Sequence, residues 1–268
     1  MNTNEQSLIV LPETSFILFQ VNKQLSLVKN IIENQRKRYW VNQLDNLKNQ
    51  KKYEELLIES EKCVFEFSNW FYGYFRRGTA KSNLKNHVGA IEDYGKCIEF
   101  NANYASAYNN RGNAKADLGD YQSAIEDYDK VIELDDNIGS AYEYRGDSKY
   151  ELKDYLGAIE DYSKAIEIDT INSWAYSSRG ESKYELKDYL GAIEDYSKVI
   201  EIDSTEAWAY SSRGNAKYNL KEYHEAILDY SRAIELQPNE IIVYSNRAIA
   251  KDAIGDKIGA LEDKNRAI

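Results

Sequence analysis

Groups that could carry catalysis are few in this chain. It has two histidines, His87 and His224, and two cysteines, Cys63 and Cys97. A nucleophile needs a base within hydrogen-bond reach, and a metal needs several converging ligands. The cysteines are not spaced as zinc ligands. No phosphate loop, G-x-S-x-G turn or two-histidine helix occurs. Acidic pairs recur, as at Glu126-Asp127, but adjacent residues on a helix do not face each other, so they resemble an acid–base pair only superficially. We therefore expect no catalytic residue, no metal ligand, no cofactor and no enzymatic activity. The most regular charged pattern is Arg followed sixteen residues later by Asp, as in Arg111 and Asp127, Arg145 and Asp161, Arg179 and Asp195. If a hairpin brings such residues together, the expected chemistry is a structural ion pair, joined by Lys115, Lys149, Lys183 and Lys217.

The elements that must position these residues are repeated. Arg-Gly occurs at Arg77-Gly78, Arg111-Gly112, Arg145-Gly146, Arg179-Gly180 and Arg213-Gly214, always 34 residues apart, and the next step lands on Arg247-Ala248. Ser148–Lys164 and Ser182–Lys198 are the same seventeen residues. With the glycine set at the eighth place, units begin at Phe71, Ala105, Gly139, Ser173, Ala207 and Ile241. The fourth place is then Tyr throughout, the twentieth Ala throughout, and the twenty-fourth Tyr in all but the last unit, where Lys264 stands. Places 4, 7, 8 and 11 share one face of a helix, and places 20, 24, 27 and 28 one face of a second. Between them lies a turn such as Leu118-Gly119-Asp120-Tyr121, where Gly119 can end the first helix in the left-handed conformation. Lys85, Lys153, Lys187 and Lys221 stand at that place in other units, at greater conformational cost. Gly at place 8 and Ala at place 20 predict close approach of the two backbones, with tyrosines filling the space alongside. His87 occupies a place held by Tyr121, Tyr155, Tyr189 and Tyr223, so a packing role is expected, whereas His224 is expected in solvent. Cys63 and Cys97 fall at equivalent interior places, where a free thiol behaves as a small hydrophobe.

The pattern resembles the tetratricopeptide repeat (TPR) family, whose unit is a 34-residue helix–turn–helix. Tyr at place 4, Gly at 8, Ala at 20, Tyr at 24 and a small residue at 27 match its signature over about 200 residues. The proline typical near place 32 is present only as Pro238. The resemblance implies an all-α, right-handed superhelical solenoid of stacked repeats. Six units are expected over 71–268: 71–104, 105–138, 139–172, 173–206, 207–240 and a partial 241–268. The same register upstream gives a degenerate repeat at 37–70, with Leu44 for the glycine and Ser60 for the tyrosine. Residues 1–36 are expected to form an N-terminal helical cap, its stripe of Ile17, Val21, Leu25, Val28 and Ile32 covering the apolar end of the stack. A short strand at Leu8–Leu11 is a weaker expectation. The last unit stops inside its second helix, so either the chain ends there or the sequence is a fragment of something longer.

Composition narrows the partners. The net charge is −11; residues 1–70 hold nine basic and nine acidic residues, so the whole excess lies in 71–268. Nucleic acid and anionic membrane surfaces are disfavoured as partners. No run approaches the roughly 18 apolar residues of a membrane helix, and the first residues lack the basic start of a signal peptide. With only two cysteines, a reducing, cytoplasmic location is expected. In the TPR family, places 2, 5, 9, 12 and 13 line a concave groove that binds peptide segments. Here the candidate groove residues are Glu143, Asp147, Tyr150, Trp174, Glu181, Tyr184, Trp208, Asn215 and Tyr218. Tyr150, Tyr184 and Tyr218 take one place in three successive units, and Asp147 and Glu181 beside them would favour Lys or Arg on a partner. Neither the family's carboxylate clamp for chaperone tails nor its asparagine ladder is complete. The expected function is a protein-interaction scaffold or adaptor. The alternatives are the regulatory part of a larger effector or enzyme, or a dedicated inhibitor or chaperone of one partner, using the same groove.

Overall fold

The computed structural model describes residues 12–267, with side chains from residue 15; the strand expected at Leu8–Leu11 lies outside the described residues. Fourteen helices and no strand occur among the described residues. A long helix α1 (Pro12–Asn49) and α2 (Tyr53–Glu66) lead into six hairpins: α3 (Phe71–Asn83) with α4 (His87–Phe100), α5 (Ala105–Ala116) with α6 (Tyr121–Leu134), and α7 (Gly139–Glu151) with α8 (Tyr155–Ile168). They continue as α9 (Ser173–Glu185) with α10 (Tyr189–Ile202), α11 (Ala207–Asn219) with α12 (Tyr223–Leu236), and α13 (Ile241–Ala253) with α14 (Lys257–Arg266). First helices start at place 1 of each unit and second helices at place 17. Each helix packs on the next in the chain, and most first helices also touch the first helix of the following unit. First helices therefore line the inner side of a solenoid and second helices its outer side.

Local chemistry explains each hairpin. The second helices of five units are capped by Asn86, Asp120, Asp154, Asp188 or Asp256, whose side chain accepts from the third backbone N–H of the helix, satisfying a group the helix itself leaves free. Before each cap one residue takes positive φ: Lys85, Lys153, Lys187 and Lys221 at 63–65°, Gly119 at 80° and Gly255 at 86°. Lys51 does the same at 57°, one period upstream, so 37–70 turns at the same place as the full repeats. A left-handed non-glycine residue costs about 1–2 kcal/mol, a cost the packed hairpin must outweigh.

The glycine at place 8 is set by tyrosine. A Cβ on Gly112 would sit 2.8 Å from the Tyr128 ring, and one on Gly146 2.7 Å from the Tyr162 ring. The exceptions obey the same rule. Where Lys264 replaces the tyrosine, Ala248 is accommodated; where Ser60 replaces it, the larger Leu44 fills the place, both fully buried. Gly146→Ala should thus cost roughly 1–3 kcal/mol by overpacking. In a Tyr162→Ala background the added cost should nearly vanish, a coupling that urea unfolding of the four variants would measure. Equal costs in both backgrounds would refute the account.

Place 7 and place 23 form the expected ion pair in all six units. Arg77–Asp93, Arg111–Asp127, Arg145–Asp161, Arg179–Asp195, Arg213–Asp229 and Arg247–Asp263 each have two guanidinium nitrogens donating to one carboxylate, Nη2 at 2.5–2.7 Å. The lysine at place 11 joins at 2.7–2.8 Å, extending the expected set to Lys81 and Lys251. Each guanidinium also lies over the tyrosine at place 4, 5.3–5.7 Å from the ring centre. Arg145 further pairs with Asp129 of the preceding unit, where Arg179, Arg213 and Arg247 instead donate to Ser163, Ser197 and Ser231. The network therefore staples each of the six hairpins and ties the last four to the unit before them. His87 and both cysteines are packed as expected, burial pushing each thiol up to about 12, and His224 is exposed.

The N-terminal cap is a correction. Residues 12–36 do not form a separate helix folded over the end of the stack. They run without a break into residues 37–49, because nothing between them stops a helix. At 1.5 Å per residue α1 is about 57 Å long, while its neighbour α2 offers only about 21 Å. Trp40, Leu44 and Leu47 of α1 are buried with Leu56 and Cys63 of α2, and residues 15–36 remain exposed. The stripe of Ile17, Val21, Leu25, Val28 and Ile32 therefore covers nothing among the described residues.

Candidate functional site

The inner face of α5, α7, α9, α11 and α13 is the candidate site. Its floor comes from the second helices. The place-24 tyrosines are almost fully buried, but their hydroxyls reach through to the inner face, where the place-9 residue accepts: Tyr128 to Asn113 at 2.7 Å, Tyr162 to Asp147 at 2.8 Å and Tyr230 to Asn215 at 2.9 Å. The sequence marks these tyrosines as packing residues of the repeat, but neither they nor Asn113 were among the expected groove residues. The recurrence of Asn or Asp one residue after the glycine, opposite a tyrosine fifteen residues on, is the pattern that points to them.

The expected groove residues divide into three groups. Asp147 and Glu143 lie on α7, with Glu151 a turn further and Glu181 on α9. Glu143 accepts from Asn172. Burial pushes the Asp147 carboxyl up to about 7; the Tyr162 hydroxyl opposes this, and Glu143, Glu151 and Glu181 add to it. None of the ion pairs among the described residues includes any of these four carboxylates, although the hairpin aspartates each hold two cations. Asp147 and Glu151 border a cavity of about 470 Å³, with Asn113, Tyr128, Tyr144 and His87 opposite. His87 Nδ1 lies 3.2 Å from Asp117 there.

The second group is the tyrosine series. Tyr150, Tyr184 and Tyr218 are half-buried, each ring packed on the place-17 tyrosine of its own hairpin at 5.2–5.3 Å between centres: Tyr155, Tyr189 and Tyr223. They keep an open side toward the inner face. Tyr184 and Tyr218 border a second cavity of about 240 Å³ with Asn215, Asn219, Tyr230 and Asn246. In it Asn219 donates to the Tyr184 hydroxyl at 2.9 Å and Asn246 to Asn215 at 3.1 Å. The third group is the two tryptophans. Trp174 stands edge-on to Tyr162 at 5.9 Å and is 45% exposed. Trp208 donates to Glu206 and lines a separate depression with Ala233, Gln237 and Ile242. Trp208 is therefore not brought together with Asn215 and Tyr218.

Sequence models of the tetratricopeptide repeat match residues 72–104, 105–138 and 207–240, and a TPR repeat model matches 146–187 and 180–221. The chain belongs to the tetratricopeptide repeat family. The flanking hairpins over 37–70 and 241–267 lie outside these matches. Among solved TPR-like structures, MamA is 26% identical, covering 63% of this chain and 93% of that one with a TM-score of 0.61. YrrB, described as a TPR protein with an unusual peptide-binding site, is 20% identical over 69% of this chain and 95% of its own, with a TM-score of 0.62. The C-terminal part of a TPR repeat-containing protein from Cytophaga hutchinsonii is 20% identical over 84% and 93%, with a TM-score of 0.75. No curated protein matches the sequence. Among the described residues of this TPR solenoid, no three His, Cys, Asp or Glu side chains converge as a metal site, and no helix is long and apolar enough to cross a membrane.

Proposed function

We propose that this TPR protein is an interaction scaffold whose inner groove holds an extended peptide or protein segment bearing lysine or arginine side chains. The observation that carries the reading is the set of four carboxylates, Glu143, Asp147, Glu151 and Glu181, without a cationic partner on the inner face. Burial first, and then repulsion from the neighbouring unpaired acids, holds the proton on Asp147. A cation from a partner would relieve that repulsion. Tyr150, Tyr184 and Tyr218 recur one per repeat, and packed helices lie roughly 8–10 Å apart. An extended chain advances about 3.3 Å per residue, so about every third ligand residue would meet a ring. Such rings offer apolar area with a polar edge, as binding hot spots do. YrrB supports the reading only in that a fold of this kind can carry a peptide site. No catalytic role is proposed for any residue.

The test is fluorescence anisotropy with labelled extended peptides carrying Lys or Arg at every third position, against acidic peptides of the same length. The basic peptides should bind, more weakly as salt rises. The double variant Asp147→Asn, Glu181→Gln should lose at least about tenfold in affinity, equivalent to about 1.4 kcal/mol, with its circular dichroism unchanged. Equal affinity of the folded variant, or preference for the acidic peptides, would overturn the proposal.

A further inference from the structure

The overhanging part of α1 has an apolar seam with the spacing of a coiled coil. Leu18, Val21, Leu25, Val28 and Ile32 follow one another at intervals of three, four, three and four residues, the 3.5-residue period that keeps one face turned toward a partner helix. All five are 48–57% exposed. Ile17 and Ile31 widen it on one side and are equally exposed. The rest of the circumference carries Asn22, Lys23, Ser26, Lys29, Asn30 and Glu33, with Phe16, Phe19 and Leu27 also exposed among them. Pairing through the seam would leave these in water, and no charged residue interrupts the seam itself.

We propose that residues 18–32 of α1 pair with the same segment of a second copy of this chain, forming a two-helix coiled coil that joins two TPR solenoids. Two features favour a second copy. A seam of this period is complementary to itself, because knobs from one helix fit the holes of an identical one. Its area is also sufficient. Each half-exposed side chain offers roughly 100 Å², so seven on each helix would remove on the order of 1,400 Å² from water, within the range of specific dimers. Access is open as well. The seam ends about 12 Å before Trp40, the first residue buried in the stack, so two copies can meet there with their repeats apart. The inner groove stays unoccupied in this arrangement, and a dimer would present two grooves to one multivalent partner.

Sedimentation equilibrium of the full chain at about 20 µM should give twice the 31.0 kDa chain mass, since stable association at that concentration needs only a micromolar interface. Leu25→Glu with Val28→Glu should give the single-chain mass and raise the dissociation constant at least about 100-fold, because two charges would enter an apolar seam. At concentrations well below the parent's dissociation constant its thermal unfolding should match the parent's, since both side chains are exposed in the protomer. Phe65→Glu, 92% exposed on α2 and off the seam, should leave the dimer intact. A single-chain mass for the parent, a dimer that survives the double substitution, or loss of the dimer in Phe65→Glu would each overturn the proposal. The parent should also fail to co-sediment with vesicles of phosphatidylcholine and phosphatidylserine. Seam-dependent co-sedimentation of a monomeric parent would reassign the seam to a lipid surface.

Discussion

Asp195→Ala should cost about 3–5 kcal/mol and exceed the loss caused by Asp161→Ala. Asp195 is 2% exposed and accepts from two nitrogens of Arg179 and from Lys183. Removing its carboxylate leaves two partly buried cations side by side, with the Ser163 hydroxyl and the Tyr176 ring but no second carboxylate paired with Arg179. Asp161 holds Arg145 and Lys149 in the same way, but Arg145 keeps Asp129 as a second carboxylate. The surviving pair should soften the loss by roughly the worth of a partly exposed ion pair, up to about 1 kcal/mol. Urea unfolding followed by circular dichroism at neutral pH measures both. Losses under about 1 kcal/mol for both variants would show that the pairs behave as exposed salt bridges. The reverse order would show that Asp129 does not support Arg145. Because each repeat rests on its neighbours, the damage should spread to the hairpins on either side.

Asp147→Asn should act in the opposite direction and make the protein more stable at pH 8. Burial, then the neighbouring acids, hold the Asp147 carboxyl near 7 in the folded chain, against about 3.9 unfolded. A group whose folded value is raised contributes stability that is whole below pH 3.9 and lost as pH rises toward 7 and beyond. At pH 8 the parent therefore carries the penalty of an ionised, half-buried Asp147. The asparagine carries none and can still accept from Tyr162, as Asn113 and Asn215 do from Tyr128 and Tyr230. Three pKa units would correspond to about 4 kcal/mol; solvent screening of a partly exposed group reduces the expected gain to about 1–3 kcal/mol. The gain should shrink toward zero by pH 4. Urea unfolding of parent and variant at pH 4, 6 and 8 tests this, and a variant no more stable than the parent at pH 8 would contradict it. Stability gained together with peptide affinity lost is the trade-off expected where an acid is kept for binding.

Much of this was legible in the sequence because the decisive contacts are local. Place 8 meets place 24, and place 7 meets place 23, inside one hairpin of fixed geometry. A 34-residue period then repeats the same experiment six times. The left-handed turn at Gly119 was legible for the same reason, and the lysines standing there in other units had to follow it. Even the exceptions, Ala248 with Lys264 and Leu44 with Ser60, read as exchanges of volume once the Gly–Tyr contact is known.

What the sequence left open depends on which elements meet across repeats and where helices stop. The stripe from Ile17 to Ile32 showed that a face needs covering, but an amphipathic pattern does not say by what. The structure decided that α1 runs straight through residue 36 and overhangs a shorter neighbour, so the expected cap is an open seam. The place of Asp147 on the inner face could be read from its register. Its proton could not, because that depends on the burial around α7, on Glu181 from the next repeat and on a tyrosine hydroxyl arriving from behind. The sequence by itself determined the repeat, its register, its staples and its acidic surface, since all of these arise within one hairpin. Only the tertiary structure decided which acids stand without a cation and which apolar face stands without a cover, because charge and burial at those sites are summed over neighbouring repeats.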